Sequence, residues 1–249
     1  GCFGIDALCE TAALTFAVSA LLFGSTLKRY ASSGMTGDSA TCSTCRSDFR
    51  ESIRYLVQNA SLLVVFLLAA ILNLALVGLT IGAPIVVSKH LGIQSSFVGI
   101  IEVAMGLGGL VGSGLVGIWP HRFSFKGICR YVAMICFGVV PIIVTLLSGP
   151  DELAFAALTA GSAWVMAWAS ITSVEIVSFV QRSAPKELCG KVLALVYMTL
   201  SCATPIGQLV YGLAYDRWTP AIVFAGMLAV LTLTTALFYR LKSRLWRLS

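Results

Sequence analysis

The 249 residues are 58% hydrophobic and only 11% charged, far from the roughly 25% charged content of soluble domains, and the mean hydropathy is +0.92. Such a composition excludes a soluble globular enzyme and predicts an all-α membrane protein that crosses the bilayer several times. A formal net charge of +6 would suit a nucleic-acid partner, but the basic residues gather on one side of the predicted membrane, so no nucleic acid is expected.

Seven apolar spans are predicted at residues 5–24, 61–83, 96–118, 131–148, 153–180, 192–214 and 220–239, each near the roughly 20 residues that a helix needs to cross the hydrocarbon core. If residues 25–60 are cytoplasmic, alternation places 15 of the 17 Lys and Arg inside and only Lys89 and Arg217 outside. That asymmetry is the positive-inside bias, and it sets the expected orientation, with the central loop and the C-terminus cytoplasmic.

The first span opens with Asp6 and Glu10 ahead of TAALTFAVSALLFG and lacks the basic start and small-residue cleavage site of a signal peptide, so it reads as a transmembrane helix whose upstream partners are missing. Residues 25–60 form a linker rich in Ser, Thr, Gly and Asp. Near its end Phe49, Ile53, Leu56 and Val57 recur at helical spacing with Arg50 and Arg54 between them, which fits either a short interfacial helix or an extension of the next span.

The second span carries a lone amide, Asn73, which needs a partner at membrane depth and so faces the bundle or a cavity. The third, from Ser95 to Pro120, is rich in glycine: Gly108 and Gly112 make a GxxxG pair, so a neighbouring helix can approach closely. The same span holds Glu102, where an ionised group costs at least about 2.5 kcal/mol unless it meets a partner or water.

Pro141 interrupts the fourth span, and Glu175 lies near the cytoplasmic end of the fifth, where it can also snorkel toward water. The sixth combines Pro205, Gly207 and Gly212. The last is apolar all round, which predicts a lipid-facing helix. Aligning the segments from Gly109 and Gly207 matches Gly114 with Gly212 and Leu115 with Leu213, as a three-plus-three inverted repeat would.

Of the eight cysteines, Cys42 and Cys45 form a single CxxC without a second pair or a nearby His, so reduced thiols are expected, with no metal and no cofactor. The two histidines, His90 and His121, fall in loops on opposite sides, and no HExxH occurs. An intramembrane enzyme therefore lacks its machinery.

These residues, with FRESIRYL before the second span, QRSAPKELCGKVLAL from Gln181 and TPIGQLVYGLAYDR from Thr204, resemble the major facilitator superfamily, and within it bacterial drug, macrolide or siderophore exporters. The resemblance implies that residues 1–24 are helix six of twelve, 25–60 the central cytoplasmic loop, and 61–249 the C-terminal six-helix bundle with its basic tail. The chain would then be a fragment in the bacterial inner membrane, partnered by lipid, by the missing N-terminal half, by protons and by a small-molecule substrate.

By the same resemblance, helices bearing Asn73 and Glu175 line the translocation path, and the glycine-rich third and sixth spans pack against the absent half. The loop between helices eight and nine retains Gly117, His121, Arg122 and Lys126 as gating candidates, with His where the family has Asp. The function so implied is proton-coupled export of a small amphipathic molecule by alternating access. Glu102 or Glu175 would carry the proton, since a carboxylate at membrane depth can take up and release one. The alternative is a polytopic receptor or scaffold that transports nothing.

Overall fold

The computed structural model describes residues 14–15, 17–21, 53–94 and 96–245. The chain divides into two units, Gly1–Asp48 and Phe49–Ser249. In the first unit the described residues are helical; the CxxC pair, Asp6 and Glu10 lie outside them.

The second unit is built from six long helices: α1 (Ala60–Ile85), α2 (Ser96–Ile118), α3 (Ile128–Ser148), α4 (Asp151–Ser183), α5 (Lys186–Arg217) and α6 (Pro220–Leu245). There is no strand among the described residues. All six are long and apolar enough to cross a membrane. Each of the last six expected spans lies inside one of them, but α3, α4, α5 and α6 run several residues further, because helices continue into the polar interface where hydropathy no longer marks them.

Residues 53–58 form a separate helical stretch before α1. Leu56 is its buried anchor, packed with Leu62, Val180, Val192 and Leu195, while Ile53 and Val57 stay exposed. Past Pro84, which lacks an N–H, α1 loosens into a wider turn over Val86–His90, closed by Leu91 N–H to Val86 O at 2.9 Å. Ser88 Oγ donates to Pro84 O at 2.7 Å and so occupies a carbonyl at the join.

The core follows a spacing that the sequence already carries. On α3, Ile128, Val132, Ile135, Val139 and Ile142 step by four and three residues, and all are buried. On α6 the same rhythm runs through Phe224, Met227, Leu231, Thr234 and Phe238. The expectation of an evenly lipid-facing last helix is thus corrected: this stripe faces the core, and Ile222, Leu233 and Leu237 face outward. Lipid is as apolar as leucine, so packing and not hydrophobicity holds these helices together.

The helices that pack most extensively are α2 with α4, then α3 with α4, α1 with α5, α3 with α6 and α1 with α6. Exchanging the triplet α1–α2–α3 for α4–α5–α6 maps this set onto itself. Because each triplet has an odd number of spans, the second enters the membrane inverted, as the Gly109 and Gly207 alignment anticipated.

The glycines show how the pairs close. A Cβ on Gly108 would meet the backbone of Ala163, and one on Gly112 the backbone of Ala167 at 2.8 and 2.9 Å from its carbonyl carbon and Cα. The GxxxG pair therefore packs within this bundle, against α4, and not against an absent half. Gly207 fits beside Leu74 and Val77 of α1, whereas Gly212 has nothing within 4 Å. The faces of α2 and α5 that remain open carry Val103, Leu107, Leu110 and Val111 on one and Ile206, Leu209, Val210 and Leu213 on the other.

Candidate functional site

A cavity of about 90 Å³ lies between α1, α4 and α5 and is bordered mostly by apolar residues, among them Leu72, Ile176 and Leu200. Its polar lining comes from Asn73, Thr172, Ser173 and Tyr197. Asn73 is 13 residues from the start of the 26-residue α1, roughly 20 Å along the helix at 1.5 Å per residue, which places the cavity at mid-depth.

The amide nitrogen of Asn73 donates to Leu200 O at 3.0 Å and to Thr204 Oγ1 at 3.4 Å. Thr204 Oγ1 itself donates to Leu200 O at 3.1 Å, so the backbone one turn before Pro205 is doubly occupied. Asn73 thus ties α1 to α5 through its nitrogen, and its oxygen takes no part in those bonds. Thr172 Oγ1 is spent on Trp168 O at 2.7 Å and offers its methyl group. Tyr197 and Ser173 are exposed at the rim. The arrangement suits an amphipathic guest: broad apolar contact, with a few polar groups to orient it.

Glu175 lies elsewhere. It is 4% exposed, the backbone of Phe125 lies against its carboxylate, and the Arg182 guanidinium acts on it through space. Its Oε2 has no partner. Phe125 also stacks on Phe179 at 4.0 Å and meets Phe238 edge-on at 6.1 Å. Tyr131 accepts Ser124 N–H at 2.9 Å, and its ring stacks on Trp168 at 5.9 Å. Together these fasten the loop between α2 and α3 to α4. Sequence reading missed Phe125, Tyr131 and Phe179; the one signal was the aromatic pair Phe123 and Phe125 inside an otherwise basic loop.

Of the gating candidates, Arg122 sits 5.9 Å from the Trp119 ring centroid, and His121 and Lys126 are exposed in the same loop. Glu175 of α4 lies against the backbone of this loop at Phe125.

Glu102 is exposed on α2 and borders a third location, a cavity of about 140 Å³ shared with Thr80, Pro84 and Met105. The three polar candidates therefore occupy three places: Asn73 the central cavity, Glu175 the buried layer beneath the α2–α3 loop, and Glu102 the groove between α1 and α2. At the end of the bundle opposite that loop, Lys89 Nζ in the wider turn after α1 and Asp216 Oδ1 in the last turn of α5 form an exposed ion pair at 3.4 Å.

Connectivity puts the α2–α3 and α4–α5 loops and both ends of the unit at one end of the bundle, which is the basic end: Arg54, Arg122, Lys126, Arg130, Arg182, Lys191 and Arg240 all lie there. Among the described residues no group of three or more His, Cys, Asp and Glu is placed to hold a metal ion.

No curated protein and no solved structure matches the chain. Residues 4–248 match the model of a major facilitator family described as transmembrane secretion effector. With six membrane-length helices arranged as an inverted pair of triplets and a match running nearly end to end, this multi-pass integral membrane chain belongs to the transmembrane secretion effector family of major facilitator transporters.

Proposed function

We propose that the chain forms the C-terminal half of a secondary transporter that exports a small amphipathic molecule, drawing on a proton gradient and working by alternating access. The observation that carries the reading is the mid-depth cavity between α1, α4 and α5, with Asn73, Thr172, Ser173 and Tyr197 on apolar walls. Midplane sites at the junction of inverted repeats are where such proteins bind cargo.

The sequence holds no nucleotide-binding loop, which favours an ion gradient as the energy source. Two carboxylates would carry the protons, at different depths. Glu102 opens toward the α1–α2 cavity, and Glu175 is linked to the α2–α3 loop through Phe125, so a change in its charge would be felt by that loop. The open faces of α2 and α5 are where the other half of the transporter would dock.

The test is dye efflux by the full-length protein in cells, with ethidium as the amphipathic probe. Ser173→Trp, which fills the cavity mouth, is expected to abolish efflux, while Leu237→Trp on the outer face of α6 leaves it intact. Efflux that survives Ser173→Trp overturns the cavity assignment. Glu102→Gln and Glu175→Gln together are expected to remove gradient-driven efflux; if it persists in the double variant, the proton assignment fails.

A further inference from the structure

Away from the central cavity, α3 and α6 leave a groove of about 430 Å³ on the outer surface, lined by Cys129, Ala133, Cys136, Thr232, Thr235 and Ala236, with Tyr239 at one end. Small side chains on both helices make it. The two threonines do not make it polar, because Thr232 Oγ1 donates to Ala229 O at 2.9 Å and Thr235 Oγ1 to Leu231 O at 2.7 Å, which leaves their methyl groups toward the groove.

The groove is short and one of its ends is basic. It covers Cys129 to Cys136 on one helix and Thr232 to Tyr239 on the other, antiparallel, so its length is about 10 Å at 1.5 Å per residue. That is near a third of the hydrocarbon thickness of about 30 Å, too short a seam for a transmembrane helix to pack along. At the Cys129 and Tyr239 end, Arg130 and Arg240 are the adjoining residues, Lys126 precedes by one turn, and the chain continues into Lys242 and Arg244. Tyr239 is 68% exposed, as aromatic residues at the level of lipid headgroups are.

We propose that this groove is a binding site for an anionic phospholipid of the leaflet at the basic end, with one acyl chain lying between α3 and α6 and the phosphate meeting Arg130 and Arg240. A surface trough in a bilayer must be filled, since an empty one forfeits dispersion contacts along its whole wall. Basic residues near the headgroups favour anionic lipid by roughly fivefold each. The site is independent of the transport reading, because none of its residues borders the central cavity.

The experiment is native mass spectrometry of the full-length protein released from detergent, with palmitoyl-oleoyl phosphatidylglycerol as probe and the matching phosphatidylcholine as control. The wild type is expected to retain phosphatidylglycerol at lower lipid concentration, by roughly thirtyfold if both arginines contribute. Ala133→Leu with Ala236→Leu, both at exposed positions and so compatible with folding, should remove the tightest adduct of either lipid. Arg130→Gln with Arg240→Gln should erase the preference while leaving the acyl contact. Equal retention of the two lipids, or unchanged adducts in the filled-groove variant, overturns the proposal. So does loss of a dimer peak on filling the groove, which would assign it to a second copy of the chain.

Discussion

Gly112 lets the close packing of α2 on α4 be tested by a single methyl group. In Gly112→Ala the new Cβ would run into the Ala167 carbonyl oxygen and stand 2.8 Å from its carbon, where ordinary contact begins at 3.4 Å, so α2 must retreat by more than the roughly 0.6 Å that the carbon alone demands. The obstacle is backbone and has no rotamer to change. Overpacking of this kind costs about 1–3 kcal/mol, against which alanine recovers about 1 kcal/mol of helix propensity.

The net expectation for Gly112→Ala is a loss of about 1 kcal/mol, and for Gly108→Ala with Gly112→Ala, which presses on Ala163 as well, about 2–3 kcal/mol. At this chain length the double variant should melt roughly 4–10 °C lower. The control is Gly226→Ala on α6, where nothing lies within 4 Å of the added methyl; propensity alone then acts, and the melting point should hold or rise. The assay is thermal unfolding in detergent followed by size-exclusion fluorescence. If the Gly108 and Gly112 variant melts with the Gly226 variant, the α2–α4 contact is not as close as described and the argument fails.

Other outcomes follow from single contacts. Asn73→Leu removes two hydrogen bonds to α5 worth about 0.6 kcal/mol each at membrane depth, so a loss near 1 kcal/mol is expected; in transport assays it should weaken substrate affinity more than maximal rate. Tyr215→Phe deletes the buried bond to Gly78 O and should cost about 1 kcal/mol, whereas Gly82→Ala, whose methyl would strike the Tyr215 hydroxyl, should cost more; equal melting points would contradict the geometry. Phe125→Ala removes the ring held between Phe179 and Phe238 and should cost about 3 kcal/mol while raising proteolysis within residues 119–127. Lys89→Met at the exposed ion pair should change stability by less than about 1 kcal/mol.

What the sequence disclosed and what it withheld have physical causes. Span positions were legible because only long apolar runs satisfy a bilayer, and the sidedness of charge was legible because connectivity fixes which loops share an end. The partner of Gly108 and Gly112 was not: a small-xxx-small pattern states that some backbone comes close, and Ala163 with Ala167 is as featureless in sequence as any other alanine pair. For α6, hydropathy cannot separate a core-facing stripe from a lipid-facing one, since both are apolar, although the spacing of Phe224, Met227 and Leu231 held the answer.

The site was half legible in the same sense. Asn73 stood out as a lone amide in an apolar span, and it does border the cavity. Thr172, Ser173 and Tyr197 did not, because their placement depends on how α4 and α5 rotate against α1. Glu175 stood out by charge, but its company, the Phe125 backbone from a loop fifty residues earlier, is a tertiary fact.

The central claim is gradient-driven transport. The direct measurement is to reconstitute the full-length protein in proteoliposomes, impose a pH difference across the membrane, and follow ethidium accumulation with and without a protonophore. The account predicts accumulation that follows the imposed gradient and collapses when the protonophore is added. Ethidium distribution indistinguishable from that of empty liposomes, or unaffected by the protonophore, would contradict it.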